Sequence, residues 1–344
     1  MSKQMINHRG AEFQALLRST TARIKEFFQT KGDVLILTAS GTGGMEAAIV
    51  NTLSPRDKVL AVTNGVFGDR FAEIAEAYGA EVNRLAFPWG QPDDPDAVGI
   101  ALERDKSIKA VIVTHNETST GVTSDLAAIS AVVKQYDKLL LVDAISSLGC
   151  IDLQTDTWQC DVVVTGSQKG WMVPPGLAFI SVSQKAWEAH ARARMPRFYW
   201  DFALAKKFFD RGQTPSTPAV SIFYALDVAL QLMASEGLAN IFARHARIGQ
   251  KTRDEIKALG LELFAAERHA SNTVTAVKAP QGLDAKRLLT ILREEHDVIL
   301  AGGQQELDGK IFRIGHLGWV SESDIDAVIE RLRIALPKAG FPTA

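Results

Sequence analysis

Short, wholly apolar runs alternate with amphipathic segments through the first half of the sequence, and few folds accommodate that pattern. Residues 34–38, 58–63, 110–114, 139–142 and 162–165 read as strands, and 81–86 as another. Apolar runs without polar alternation must be covered on both faces, as in a parallel sheet between two helical layers. Helical spacing at 45–53, 70–78, 94–104 and 126–136 supplies those layers. The chain therefore reads as α/β. Residues 177–182 follow 162–165 too closely for a crossover helix, so that strand is expected to run antiparallel.

Residues 10–29 form an amphipathic pattern with Phe13, Leu16, Leu17, Ile24, Phe27 and Phe28 on one face. Residues 218–258 look helical throughout, and a long helix is expected to join two domains. Beyond it the period changes. Residues 261–264, 272–277, 298–300 and 310–314 are strand-like, with helices at 284–294 and 321–335. The expected division is a large domain over 1–234 and a small α+β domain over 235–344, with the first helix free to pack on the small one.

The 344 residues are 46% hydrophobic and 23% charged, with a net charge of −2, as in ordinary enzymes. No basic field is present to attract nucleic acid or an anionic membrane. No apolar run reaches the ~18 residues of a transmembrane helix, and the first residues lack a signal pattern. Two cysteines, Cys150 and Cys160, make no disulfide framework, so a reducing cytoplasm is the expected compartment.

The chemistry lies where strand-like runs end, the edge at which open α/β sheets bind ligands. Thr38-Ala-Ser-Gly-Thr-Gly-Gly-Met-Glu46 puts glycines between a strand and a helix, suited to an anion or simply to a tight turn. It is no Walker A loop, since no Lys-Ser/Thr follows, and Glu46 spoils a Gly-x-Gly-x-x-Gly fingerprint. Thr114-His-Asn-Glu-Thr-Ser-Thr-Gly121 offers hydroxyls for a phosphate or a ring oxygen, or a turn without a ligand. Leu139-Leu-Leu-Val-Asp143 ends on a carboxylate, which could also cap the next turn. Asp161-Val-Val-Val-Thr-Gly-Ser-Gln-Lys169 ends on a lysine confined among apolar groups, which lowers its pKa. Phe67 could stack on a planar ring or pack in the core. Arg313, in Ile311-Phe-Arg-Ile-Gly-His-Leu-Gly318, could grip a carboxylate with two parallel hydrogen bonds or form a surface ion pair. An acid closing one strand and a lysine just past the next suit pyridoxal phosphate. The lysine forms a Schiff base, and the acid pairs with the pyridinium nitrogen, making the ring an electron sink.

With these residues in order, the chain resembles the class V aminotransferases, among the fold-type I pyridoxal phosphate enzymes, and is most similar to their alanine–glyoxylate and serine–glyoxylate branch. The likeness runs from Ile6-Asn-His-Arg9 to about residue 335. It rests on Val142-Asp-Ala-Ile-Ser-Ser147, Thr165-Gly-Ser-Gln-Lys-Gly170 and Phe312-Arg-Ile-Gly315 in combination. It implies a mostly parallel seven-stranded sheet with helices on both faces and a smaller α+β C-terminal domain. It implies pyridoxal 5'-phosphate bound through Lys169, with Asp143 on the pyridinium, Ile145 under the ring and Phe67 on its other face. Gly43, Gly44 and Gln168 would bind the phosphate, and Thr118 the ring hydroxyl or phosphate region. Thr217, in Gln213-Thr-Pro-Ser-Thr-Pro218, would reach the phosphate of the partner subunit in a homodimer with shared sites. Arg313 would hold the substrate α-carboxylate, and no metal is expected. The implied reaction is ping-pong transamination from alanine or serine to a 2-oxo acid such as glyoxylate or pyruvate.

Two departures from the family pattern stand out. The sequence starts almost at the His8-Arg9 motif, where relatives carry a Gly-Pro-rich segment ahead of it, so a piece of the usual site lining is expected to be absent. Ser216 stands where several relatives carry an aromatic residue nearby, which weakens the expected Thr217 contact. Rival readings are a phosphonate transaminase, a lyase of the same fold such as a cysteine desulfurase, and a noncatalytic partner subunit. A desulfurase needs a mobile cysteine in the C-terminal part, whereas Cys150 and Cys160 precede the lysine and read as buried structural thiols. Retention of Lys169, Asp143 and Arg313 together argues against a scaffold.

Overall fold

The structure is a computed structural model that describes Met1 and residues 3–341. In chain order the elements are α1 (Ala11–Phe28), β1 (Asp33–Leu37), α2 (Gly41–Thr52), β2 (Lys58–Thr63), α3 (Val66–Ala77), β3 (Glu81–Ala86), α4 (Pro95–Arg104) and β4 (Ile108–Thr114). A small hairpin follows, β5 (Asn116–Glu117) and β6 (Val122–Thr123), then α5 (Leu126–Gln135), β7 (Leu139–Asp143), β8 (Val162–Gly166) and β9 (Ala178–Val182). The rest comprises α6 (Gln184–His190), α7 (Phe202–Asp210), α8 (Val220–Glu236), α9 (Leu238–Ala258), β10 (Val274–Lys278), α10 (Ala285–His296), β11 (Ala301–Gly302), β12 (Ile311–Gly315) and α11 (Glu322–Lys338).

Seven strands form one sheet in the order β1-β9-β8-β7-β4-β2-β3. β9 is antiparallel to both its neighbours, β8 and β1, as the short connection requires. The remaining pairings are parallel. Side chains of a strand point alternately to opposite faces, so each apolar run feeds two cores. Val111, Val113, Leu140 and Val142 enter one core with α1, α5 and α8. Ala110, Ile112, Leu139 and Leu141 enter the other with α2, α3, α6 and α7. Each fully buried leucine or valine contributes about 1.5–3 kcal/mol.

The first helix, which the sequence left free to pack on the small domain, lies instead on the large sheet. Phe13 meets Phe223 of α8 edge-on at 5.2 Å, and Phe27 and Phe28 flank Trp171. The expected continuous helix over 218–258 is broken. Gly237, at φ +82°, separates α8 from α9, and the two axes diverge by 86°. A left-handed φ suits glycine and ends a helix cheaply. α9 then packs on α11 and on the three-stranded antiparallel sheet β10-β12-β11, whose core includes Ile248, Leu288, Phe312 and Leu332. Of the strands expected there, 261–264 is reduced to a bridge from Leu263 to Val277, and the one expected at 298–300 is displaced to β11. Among the described residues no single helix is long and apolar enough to cross a membrane.

Candidate active site

Parallel pairing brings the ends of β4, β7 and β8 to one edge, with Thr114 opposite Asp143 and Asp143 opposite Val164. A cavity of about 160 Å³ opens there, lined by Ser40, Thr42, Phe67, Thr118, Asp143 and Lys169 among others. A second, of about 670 Å³, adjoins it and shares Phe67, Thr118 and Lys169. It adds Arg313 and the loops of the small sheet.

Lys169 projects from an immobilised turn. Ser167 accepts from Leu177 N at 3.2 Å and donates to Pro174 O at 2.8 Å, closing the 167–177 loop at its neck. Two residues past the lysine, Trp171 is fully buried among Phe27, Phe28 and Phe179, and its Nε1 donates to Thr165 Oγ1 at 3.1 Å. Between them Gly170 has no room for a side chain, since a Cβ would lie 2.7 Å from Cys150 Sγ. Burial, then the Arg313 charge, lower the Lys169 pKa against the opposing pull of Asp143. Both effects enlarge the neutral, nucleophilic fraction of the amine.

Asp143 is buried, and burial pushes its carboxyl up to about 7. One oxygen accepts from Ile145 N at 2.8 Å, and the other has no partner among the described residues. A buried carboxylate with a free oxygen facing a cavity calls for a cationic or N–H donor, which a protonated ring nitrogen provides. Ile145 lines the same cavity and presses on α2, where a Cβ on Gly41 would lie 2.4 Å from its side chain.

The expected phosphate-binding glycines, Gly43 and Gly44, sit inside α2 and outside the cavity lining. Gly43 N is engaged by Ser40 Oγ and Gly44 N by Ser40 O. A Cβ on Gly43 would strike Trp200, and one on Gly44 would strike Val164, so both glycines serve packing. The amides of Gly41 and Thr42, in the first turn of α2, have no partner among the described residues, and Ser40, Gly41 and Thr42, which line the cavity where Gly43 and Gly44 do not, form a cradle that would suit a phosphate. Gln168 lines the cavity. Thr217, expected to serve the partner subunit's site, is exposed and lies outside this lining. Arg9, from the early His-Arg motif, holds the loop before Thr217 through Thr214 O at 2.7 Å and Gln213 Oε1 at 3.1 Å.

Arg313 comes from β12 and crosses to the β5–β6 turn. Its Nε donates to Gly302 O at 2.9 Å and one terminal nitrogen donates to Thr118 O at 2.8 Å. The other terminal nitrogen has no partner among the described residues. Sequence reasoning did not single out Ser40, Thr42, Arg70, Asn116 or Ser146 as lining residues. Ser40 could have been found as a helix N-cap ahead of the glycines, and Asn116 lay inside the quoted hydroxyl-rich run. Arg70, one turn past Phe67 and 5.0 Å above its ring, follows from helical spacing.

These groups fit pyridoxal phosphate. A helix N-terminus with free amides suits the phosphate, Asp143 the ring nitrogen, Ile145 and Phe67 the ring faces, and Lys169 the aldehyde carbon. Cys150 and Cys160 are buried, outside the cavity lining, with thiols pushed up to about 12 by burial. They have the character of inert core groups, unlike a desulfurase nucleophile.

Comparison with known proteins agrees with this chemistry. The family described as Aminotransferase class-V matches residues 2–313. A protein named soluble hydrogenase, small subunit, from Synechococcus sp. (strain PCC 6716) is 49% identical over 99% of this chain and 89% of its own length. The serine–glyoxylate aminotransferase of Methylorubrum extorquens is 37% identical over 98% of this chain and 86% of its own. The crystal structure of alanine–glyoxylate aminotransferase from Nostoc sp. superposes with a TM-score of 0.94 at 31% identity, covering 97% of this chain and 90% of that one.

Proposed function

Because the chain belongs to the class V aminotransferase family and is a pyridoxal phosphate-dependent aminotransferase, we propose that it moves the amino group of a small monocarboxylic amino acid, alanine or serine, to a 2-oxo acid such as glyoxylate or pyruvate. The observation that carries the substrate class is the lining of the larger cavity. Arg313 presents a free guanidinium nitrogen there, beside the apolar Val298, Leu300, Leu317 and Val320. Asp297 and Asp324 line the same cavity, so a second carboxylate on the donor would meet like charge.

Pyridoxal phosphate, when bound, supplies the electron sink that lets a bond to the substrate α-carbon break. The residues of the chain do the rest. Arg313 orients the carboxylate, and Asp143 keeps the ring nitrogen protonated. Ser40, Gly41 and Thr42 fix the phosphate end. Lys169, as a neutral amine at its Nζ, takes up and returns the proton. The same set serves both halves of a ping-pong cycle.

The reading includes a cytoplasmic homodimer with shared sites. The dimer is supported by Phe198, 82% exposed, and by the exposed Tyr199, which donates to Thr38 O just ahead of α2. Sedimentation showing an active monomer would remove it. The name of the Synechococcus relative supports a second role, as a subunit of a larger assembly. The deciding experiment follows the cofactor's absorbance as alanine, serine, aspartate and 2-aminoethylphosphonate are added singly. Conversion with alanine or serine is expected. Conversion with aspartate or the phosphonate alone would overturn the substrate class, and no conversion with any donor would favour the assembly role.

A further inference from the structure

Glu117 is fully buried and is assigned no part in the chemistry above, yet one of its oxygens accepts from Phe67 N at 2.9 Å and Gly68 N at 3.0 Å. The other accepts from Ser119 N at 3.0 Å and Ser119 Oγ at 2.6 Å. Ser119 Oγ in turn accepts from Val66 N at 3.0 Å. The first three amides of α3 are thus satisfied from the β5–β6 turn. The helix needs this, because its N-cap residue, Gly65, has no side chain to cap it. Gly65 also makes the approach possible, since a Cβ there would lie 2.5 Å from both Glu117 and Ser119.

What hangs from this carboxylate is the site itself. Phe67, whose amide it holds, lines both cavities, where it would face the cofactor ring. Thr118, between its two anchors, also lines both cavities, and the Thr118 carbonyl receives Arg313 from the small sheet at 2.8 Å. We propose that Glu117 is a positioning residue that sets the spacing between the cofactor-stacking ring and the substrate-binding arginine. It does so by holding the start of α3 and the Thr118 turn on one buried carboxylate. Its charge also acts on Arg313, favouring the guanidinium beside the β5–β6 turn. Burial raises its own pKa, and the four donors oppose that shift. A carboxylate has the acceptor capacity for four donors, whereas an amide of the same shape turns an NH₂ toward donors it cannot serve.

The inference rests on Arg313 as holder of the substrate carboxylate, which Arg313→Lys tests alone. The experiment is a cycle of parent, Glu117→Gln, Arg313→Lys and the double variant, with alanine half-reactions beside amide exchange on the cofactor-free proteins. Glu117→Gln is expected to raise the apparent KM about tenfold or more with a smaller change in kcat. The double variant should fall short of the product of the singles by at least about threefold, because the two residues act as a unit. In the cofactor-free protein the Phe67 and Gly68 amides should exchange about tenfold faster or more. If the two substitutions multiply independently and those amides keep their protection, the positioning role is wrong. A loss of all protection across the chain would show Glu117→Gln to be unfolded. In that event Ser119→Ala, which removes one donor and the Val66 acceptor, decides by the same two readouts. If Arg313→Lys itself leaves KM unchanged, the failure belongs to Arg313 and the amide-exchange result alone judges Glu117.

Discussion

Two regions of this molecule bury polar groups, and they do so in opposite ways. At the carboxyl edge of the large sheet, among the described residues, Asp143 keeps an oxygen without a partner, Lys169 has no ion-pair partner, and the Gly41 and Thr42 amides have no acceptor. At the seam with the small sheet, His245 and His316 use both ring nitrogens. His245 donates to Ile241 O at 2.8 Å and accepts from Gly318 N at 3.1 Å. His316 donates to Asn272 O at 3.1 Å and accepts from Thr275 Oγ1 at 2.9 Å. Leaving a buried group unpaired costs about 1–3 kcal/mol. A chain tolerates several such groups in one place only where something else completes them. For these groups free valence goes with the ligand site and saturation with architecture, while scattered single atoms elsewhere, such as His115 Nδ1 and Arg253 Nε, are also buried without a partner among the described residues.

The largest effect expected from the open region is at Lys169. Lys169→Ala should lower kcat by about a thousandfold or more while retaining cofactor held by the cradle and Asp143. Borohydride reduction of the parent should fix the cofactor on the peptide containing Lys169. A label on another lysine would place the reacting amine outside this turn. Next comes Arg313→Ala. Truncating one member of a buried charged pair costs about 2–5 kcal/mol, or roughly 30-fold to several-thousand-fold in kcat/KM. Arg313→Lys should recover part of that, because an ammonium lacks the guanidinium fork. A loss below about threefold for alanine and serine in Arg313→Ala would reduce this arginine to a tie between the Gly302 and Thr118 carbonyls with no part in substrate binding.

Asp143→Asn follows, at about a hundredfold in kcat with a smaller loss of cofactor affinity. A neutral amide keeps the hydrogen bond from Ile145 but not the field that protonates the ring nitrogen. Turnover at the parent rate in this variant would show that the free oxygen has another purpose.

The open region was also the more legible one in the sequence. β2 and β3 lie where apolar periodicity put them, and so do the strand ends that carry Asp143 and Lys169, because strand-end chemistry is local. Gly43 and Gly44, expected to hold the phosphate, lie outside the cavity lining for a reason of packing. Glycines look like ligand contacts in a sequence, but Gly43 and Gly44 are small because Trp200 and Val164 press on them. The break at Gly237 was hidden because apolar spacing continues on both sides of it, and periodicity carries no information on helix direction. Val298 and Leu300 read as a strand but line the substrate cavity, one face of which needs apolar side chains as a strand does. α6 and α7, at 7 and 9 residues, are too short for a helical period to stand out in the sequence.

The smallest expected effect tests the saturated region. Burial holds His245 down to about 4 and His316 to about 3. A histidine with a depressed folded pKa contributes stability above its unfolded value of about 6.5, and that stability drains away as pH falls toward the folded value. In this window the unfolded chain binds more protons, so unfolding free energy falls with pH. Asp93 and Asp143, both pushed up to about 7 by burial, act in the opposite sense, gaining stability as pH falls from 7 toward 4. The whole-protein acid profile therefore mixes the two, and a difference measurement is needed. His245→Gln removes one titration while offering a neutral donor and acceptor. The parent should lose roughly 1–3 kcal/mol more than this variant between pH 7 and pH 5, read as a steeper fall in Tm. Protonation at Nε2 also forfeits the bond to Gly318, which packs against the main chain of Lys169 and against Met172. Equal Tm slopes for parent and variant would mean that His245 stays neutral for reasons unrelated to folding, and that saturation of a buried group does not by itself mark a structural role.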